Sequence, residues 1–415
     1  MSADKIARRD LFKRTAAAGL GFAGVAGLGV NVAQAQEPAA PDVPMLDKVP
    51  TKTLGATGAK VPILLMGGSQ VFDARYDRML HRAFQDGVFY IDTAVHYANG
   101  QSHATLAPFI QQISEKHGRD ALWITSKSGL WGDDNGGASP TERYIEDMEK
   151  GIQVLGVDYI DMFFMHGIEN PETLTEPYIR MGQDFKKRGL TKFFGFSCHD
   201  GTVVELLNKA ADIGTAGIDA IMFRYNFTMY GDLELNKAMD RCIKAGIGLL
   251  AMKTQSSVPE DSDMVQKFTS ESFTLHQARL KAAWADERIS ACVSGINNTR
   301  ILKENTDAAK SQTQLAMNEY QQLRQYAIQT AHHNCKGCNH LCESKVAGNL
   351  RIGDQLRYLM YAECYGNFRE ARAMYAALRE DQRAFQHLDL SGAEAACPQG
   401  IKIRERLETA QLRLA

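Results

Sequence analysis

From about residue 60 to residue 310 the chain repeats one pattern. An amphipathic stretch comes first, then a glycine, then a short unbroken apolar run. Unbroken apolar runs bounded by turn residues read as strands buried on both faces, as in parallel sheets. Eight such runs lie near 62–67, 88–93, 121–126, 159–165, 192–197, 218–224, 246–252 and 289–295. The stretches between them have helical spacing. Ile145, Met148, Ile152 and Leu155 fall on one helix face, and Gly156 follows as a stop. Ser139-Pro140-Thr141-Glu142 joins a capping box to a proline in the first turn. Asp73 is expected to cap a helix carrying Tyr76, Leu80, Ala83 and Phe84 on one face, with Gly87 at its end. Eight strand–helix units in about 250 residues predict an α/β fold of the (β/α)8 TIM-barrel type. A doubly wound open sheet is the alternative. The count, and the lack of a strand followed by Gly-x-Gly-x-x-Gly and a helix, favour the barrel.

The two ends of the chain depart from this pattern. After residue 312, helical stretches are expected at Leu315–His332, Gln355–Tyr361, Phe368–Arg379 and Ile403–Leu414, without clear strands. Five of the eight cysteines fall there: Cys335, Cys338, Cys342, Cys364 and Cys397. At the N-terminus, Ala7-Arg-Arg-Asp-Leu-Phe-Lys13 precedes a mildly apolar Gly/Ala-rich run, Thr15 to Val32, and then Ala33-Gln-Ala35. Twin arginines, a weak apolar segment and small residues for cleavage read as a Tat export signal, which implies a periplasmic protein. The glycines and alanines make this run a poor permanent span, so no membrane span is expected once the signal is removed. The expected domains are a signal at 1–35, a proline-bearing linker at 36–48, a barrel at 49–312 and a helical cysteine-rich unit at 313–415. A net charge of -2 gives no electrostatic reason to expect nucleic acid. Lys186-Lys-Arg188 reads as a solvated helix end.

Three of the apolar runs end in residues suited to moving protons. Phe89-Tyr-Ile-Asp-Thr-Ala-Val-His-Tyr97 carries Asp92 and Tyr97, Trp123-Ile-Thr-Ser-Lys127 ends in a lysine, and Met162-Phe-Phe-Met-His166 ends in a histidine. The C-terminal ends of barrel strands are where such folds hold their chemistry. A phenol with a pKa of roughly 10 can give a proton, and a nearby ammonium would lower that value. Lys127 is expected to do this for Tyr97, with Asp92 orienting Lys127 and His166 positioning a carbonyl oxygen.

Asp92-Thr-Ala-x-x-Tyr97 followed by Lys127 and His166 resembles the aldo-keto reductase family. The likeness covers roughly residues 50 to 310. Leu54-Gly-Ala-Thr-Gly-Ala-Lys-Val-Pro62 is similar to that family's N-terminal hairpin. Gly295-Ile-Asn-Asn-Thr-Arg-Ile-Leu-Lys-Glu-Asn305 is similar to its adenosine-phosphate loop and the helix after it. The resemblance implies a barrel that interconverts a small carbonyl and an alcohol by hydride transfer with NADP or NAD, Tyr97 being the general acid/base. It implies a cofactor site drawn from Ser197, Tyr225, Asn226, Lys253, Gly295, Asn297, Arg300 and Asn305. Ser197 would meet the nicotinamide carboxamide, Lys253 the pyrophosphate, and Arg300 a 2′-phosphate. The chain departs from the family where Cys198, Met222 and Ile301 replace polar cofactor contacts, and where Met252-Lys253-Thr254 replaces a Pro-Leu.

The tail reads Cys335-x2-Cys338-x3-Cys342, with Cys397-Pro398 far downstream. This resembles a ferredoxin-type site in which Cys335, Cys338, Cys342 and Cys397 hold one 4Fe-4S cluster. Structural zinc with help from His340, and disulfides in an oxidising compartment, are the alternatives. Cys198, Cys242, Cys292 and Cys364 read as inert thiols. A cluster moves one electron whereas nicotinamide moves a hydride. The tail is therefore expected to be structural, or a relay to an electron-transfer partner, and separate from the barrel's chemistry. The competing reading is a non-catalytic nucleotide-binding barrel that acts as a sensor or scaffold.

Overall fold

A computed structural model describes residues 44–129, 139–199, 201–255, 267–333 and 335–415. The predicted export signal, and the linker up to residue 43, lie outside the described residues. A short antiparallel hairpin, β1 (Thr51–Thr53) and β2 (Lys60–Pro62), precedes the barrel. Then come β3 (Leu64–Gly67), β4 (Tyr90–Asp92), β5 (Trp123–Ser128), β6 (Ile160–Met165), β7 (Thr191–Cys198), β8 (Ala220–Arg224), β9 (Gly248–Met252) and β10 (Ile289–Ser294). These eight pair in parallel and in sequence order, and β10 closes the ring onto β3. Each predicted strand is present.

The helices that follow the barrel strands in turn are α1 (Arg78–Gln85), α2 (Ser102–His117), α3 (Pro140–Leu155), α4 (Glu176–Lys187), α5 (Val203–Ile213), α6 (Leu233–Lys244), α7 (Leu275–Ala285) and α8 (Thr299–Lys310). The capping box predicted at Ser139 and Glu142 is present on α3, with Gly156 left-handed at its end. The α1 cap differs from the expectation. Asp77, not Asp73, accepts the backbone N–H groups of Met79 and Leu80. Tyr76 therefore lies outside the helix and stacks on His81.

The unbroken apolar runs alternate in space. On β6, Met162 and Phe164 point into the barrel lumen with Tyr90, Leu250 and Ala291. Ile160, Phe163 and Met165 face the helices, where Phe163 meets Phe185 and Phe194 edge-on or stacked. Such double burial explains why the runs are mostly apolar instead of alternating with polar positions. Leu54 of the hairpin plugs the lumen beneath β9, and Gly195 lets β7 lie so close to β8 that a Cβ there would meet the Ala220 carbonyl at 1.9 Å.

The C-terminal part is helical, as predicted: α9 (Met317–Gln329), α10 (Asn339–Cys342), α11 (Ile352–Tyr365), α12 (Phe368–Ala377), α13 (Glu380–Arg383), α14 (Ser391–Ala396) and α15 (Ile403–Leu414). It has apolar cores of its own, one built on Leu350, Leu356, Phe385 and Leu407, another on Leu359, Tyr375 and Leu414. It nevertheless belongs to one compact unit with the barrel, Val43–Ala415. Helix α9 packs on α7 through Leu323, Tyr326, Ala278 and Ala282. The cysteine segment is fixed to loops at the barrel mouth. Gly201 N–H donates to the Gly337 carbonyl at 2.8 Å, and Arg224 Nη1 donates to the Cys335 carbonyl at 2.8 Å. Among the described residues, no helix is long and apolar enough to cross a membrane.

Candidate active site

The four predicted proton-transfer residues converge at the C-terminal mouth of the barrel. Strand β4 ends in Asp92 and β5 contributes Lys127, which runs beside it, so that Lys127 Nζ reaches Asp92 Oδ1 at 2.6 Å. Both side chains are buried. Lys127 Nζ also donates to the Thr93 carbonyl at 2.9 Å. Tyr97 follows β4 by one turn. Ala98, Asn99 and Gly100 after it all have left-handed backbone (φ 54°, 55° and 78°), which sets the ring inward at a cost that a surface turn would avoid. The Lys127 ammonium lies 4.7 Å from the Tyr97 ring centre, and the ring meets that of His166 edge-on at 5.4 Å.

Electrostatics correct one expectation. Lys127 does not bring the Tyr97 phenol down. Burial, and then the Asp92 carboxylate, hold it well above the ordinary value. The lysine's charge is directed to Asp92 at hydrogen-bond distance. Tyr97 is thus a firmly protonated donor. His166 is neutral: burial, then Lys127, His96 and His199, drive its pKa well below the usual range. His96 Nε2 lies 3.0 Å from His166 Nδ1 and stacks on it. His96 is itself driven down to about 3, chiefly by burial and then by Lys127. A neutral imidazole can donate a hydrogen bond to a carbonyl oxygen without competing as an acid with Tyr97.

These residues open on a cavity of about 1820 Å³. Of the predicted cofactor contacts, Lys253, Gly295, Asn297, Arg300 and Asn305 line it. Asn298 caps α8 by accepting the Ile301 N–H, and Asn305 Nδ2 donates to Ser294 Oγ at 2.8 Å, so the N-terminus of α8 is held open toward the cavity. A helix N-terminus with Arg300 beside it suits a phosphate group. The other predicted contacts are elsewhere. Ser197 is buried, its Oγ accepting the Gly167 N–H at 3.2 Å. Tyr225 turns away and donates to Asp286, and Asn226 donates to the Lys253 carbonyl. The Lys253 ammonium lies 3.0 Å from the Tyr361 hydroxyl of α11, not among the groups at the α8 terminus. His199, which sequence reasoning passed over, lines the cavity with a buried Nδ1 that has no hydrogen-bond partner. It lies two residues past Ser197, near the position the family gives to an amide. The residues present therefore suit a dinucleotide phosphate at α8 and leave His199 as the unmatched polar group for a carboxamide.

The far wall of the cavity belongs to the tail, which the sequence assigned to a separate unit. Arg357, Tyr358, Tyr361, Tyr365 and Glu370 line it from α11 and α12. The tail's four candidate ligands also gather. Cys342 is in the apolar core with Cys335 and Cys397 packed against it. Burial first, with neighbouring thiols adding to it, pushes Cys338 and Cys342 up, Cys342 to about 12. Cys335 rises to about 11, where burial again leads and the Gly337 N–H and Arg224 oppose it before Cys338 and Cys397 add to it. Such thiols would ionise only against a strong cation. All eight cysteines are unbridged. Among the described residues, no group of three or more His, Cys, Asp or Glu side chains is arranged to hold a metal ion. The donor chemistry fits a thiolate-bound centre, without a formed ligand geometry. Cys198, Cys242 and Cys292 are buried in barrel elements, as expected, whereas Cys364 lines the cavity.

Fold and site together define a (β/α)8-barrel protein with a buried Asp–Lys pair, a tyrosine and a histidine at the C-terminal mouth of the barrel. The chain belongs to the aldo/keto reductase family of oxidoreductases, whose model it matches over residues 65–327. A curated aldo-keto reductase from Gibberella moniliformis is 30% identical over 181 residues, which are 43% of this chain and 51% of that protein. The chain thus spans about half the length of this relative. Among solved structures, an aldo-keto reductase from Bacillus halodurans in its holo form superposes with a TM-score of 0.54 at 19% identity, over 67% of this chain and 96% of that one. One from Brucella melitensis gives 0.53 at 19%, over 68% and 99%. One from Klebsiella pneumoniae in complex with NADPH gives 0.50 at 19%, over 68% and 96%. These likenesses are in fold.

Proposed function

We propose that the protein interconverts a small carbonyl compound and its alcohol with a nicotinamide cofactor, NADP in preference to NAD. The observation that carries this reading is the Tyr97–Lys127–Asp92–His166 group at the mouth of a family barrel. When bound, the nicotinamide would supply or take the hydride. The chain's residues would do the rest. Tyr97 would give its proton to the carbonyl oxygen, and neutral His166 would orient that oxygen. The buried Asp92–Lys127 pair would keep the floor of the site rigid. The N-terminus of α8 with Arg300 would hold phosphate, and His199 would meet the carboxamide. Replacing Tyr97 with Phe should lower kcat for NADPH-dependent aldehyde reduction by about 10²–10⁴-fold while nucleotide binding, followed by fluorescence, stays within a few-fold. A variant that keeps more than a small fraction of kcat would remove Tyr97 from the role.

The twin-arginine N-terminus supports Tat export to the periplasm, which Arg8→Lys/Arg9→Lys tests: the precursor should then stay in the cytoplasm. Free nicotinamide nucleotide is not expected outside the cytoplasm, so the cofactor would fold in before export and stay bound. Equilibrium dialysis with fast exchange would refute that. The gathering of Cys335, Cys338, Cys342 and Cys397 supports one 4Fe-4S cluster in the tail, in contact with an electron-transfer partner or purely structural. Iron and sulfide analysis of protein purified without oxygen tests it. One observation favours the non-catalytic alternative: Ser197 and Tyr225 are turned away from the cavity. Nucleotide that binds but reduces no carbonyl would establish that reading.

A further inference from the structure

Among the tyrosines that line the cavity, Tyr97 stands beside Lys127 and Tyr361 beside Lys253. Tyr97 comes from the barrel and Tyr361 from α11 of the tail. The Lys253 ammonium is 3.0 Å from the Tyr361 hydroxyl and 4.2 Å from its ring centre. Lys253 follows β9 with a left-handed backbone, φ 58°, and its carbonyl is held by Asn226 Nδ2 at 2.9 Å. A lysine in that conformation is costly unless its side chain is needed where it points. Its partner is a phenol, whereas the partner of Lys127 is a carboxylate.

We infer that Tyr361 is a second proton-transfer residue of the cavity, a base that complements the Tyr97 acid, and that the two phenols together enolise an α-hydroxy carbonyl compound bound between them. The inference rests on the carbonyl site assigned above to Tyr97 and His166, and it needs no hydride. In the step, the Tyr361 phenolate takes the proton from the carbon next to the carbonyl. The C–H electron pair becomes the new C=C bond, the carbonyl π pair moves to oxygen, and that oxygen takes the proton of Tyr97. The product is an enediol, with Tyr361 protonated and Tyr97 left as a phenolate beside Lys127. The reverse step returns a solvent-derived proton to carbon, so nothing is oxidised or reduced overall.

The surroundings of Tyr361 suit a base. Burial pushes its phenol up, but Lys253, Arg357 and Arg224 pull it below the ordinary value. The other titratable neighbours are Tyr358 and Tyr365 on α11 itself and Tyr97 from the barrel, with Glu370 of α12 facing Lys253. Burial raises all of them. Tyr361 is therefore the phenol of this group that ionises first. The polar wall of Asp354, Arg357 and Glu370 offers partners for a substrate hydroxyl.

The test uses the purified full chain and hydroxyacetone in D2O, with exchange of the methylene protons followed by proton NMR. The expected result is exchange well above the protein-free rate, falling by about 100-fold or more in Tyr361→Phe. Lys253→Gln, which leaves the phenol in place, should also depress it. A near-ultraviolet titration should find one phenolate forming below the ordinary tyrosine range in the wild type and none in Tyr361→Phe. Wild-type exchange no faster than buffer, or a Tyr361→Phe rate within about twofold of wild type, overturns the inference. Exchange without any carbonyl reduction would sink the hydride reading alone. Reduction without exchange would sink this one alone.

Discussion

The two phenol–lysine pairs share one cavity and behave oppositely. Lys127 faces a carboxylate at 2.6 Å, and its neighbour Tyr97 stays protonated. Lys253 faces a phenol at 3.0 Å, with Arg224 and Arg357 adding to it, and Tyr361 is pulled down although burial opposes it. Burial alone would raise both phenols. The difference lies in what neutralises each lysine. At Tyr97 the Asp92 carboxylate adds to burial and keeps the phenol protonated, whereas at Tyr361 the lysine acts on the phenol directly. Aspartate next to the motif tyrosine thus does more than orient the lysine: it keeps the tyrosine an acid.

The comparison can be broken most severely at Asp92. Asp92→Asn leaves Lys127 buried without its counter-charge, which should cost about 3–5 kcal/mol of stability, measured by urea unfolding. The same change should let Tyr97 ionise more readily and so erase the contrast with Tyr361. A variant as stable as the wild type would mean that the pair is not fully charged in the folded chain. The tail pair is best tested from a distance. A Cβ on Gly201 would lie 2.4 Å from the Cys338 Cα, where the cysteine segment sits on the barrel mouth. Gly201→Ala should destabilise by about 1–3 kcal/mol through overpacking. It should also speed backbone hydrogen exchange in α11, because the wall carrying Tyr361 is held through this contact. If α11 stays protected, the tail is anchored by α9 and Lys253 instead.

The smallest effect sharpens the electrostatic side. His103 is depressed to about 4 and His166 well below its usual range, in both cases first by burial and then by Lys127. The unfolded chain takes up these protons near the ordinary histidine value, and the folded chain does not. Stability is therefore complete above about pH 6.5 and falls as the pH drops toward 4, by about 1.4 kcal/mol per pH unit for each such histidine. Urea midpoints measured from neutral pH to mild acid check this. A flat profile would mean that the imidazoles are protonated in the fold and that Lys127 is not the dominant local charge.

Sequence and structure agree closely on the barrel. Its eight strands are visible as apolar runs because both faces of each are buried, and Asp92, Tyr97, Lys127 and His166 are visible because strand ends put their side chains at one rim. The α1 cap was misassigned because Asp73 and Asp77 are chemically equivalent cap candidates, and which one starts the helix depends on where the chain leaves the β3 rim. The direction of the Tyr97 shift could not be read from the lysine alone, since it depends on how far Asp92 neutralises that lysine and how dry the site is.

What the sequence by itself determined is the periodic part: the barrel, the rim chemistry, the helical nature of the tail and the spacing of its cysteines. These depend on local periodicity and on neighbours a few residues apart. What only the tertiary structure decided is where the tail goes. Tyr361 and Lys253 are separated by 108 residues, and nothing in either segment encodes the other. Ser197 and Tyr225 turn from the cavity because Gly167 and Asp286 take their polar groups, which are again distant in the chain. The wall of the cavity is set by long-range packing of α11 over the barrel mouth, and such packing leaves no period for a sequence to display.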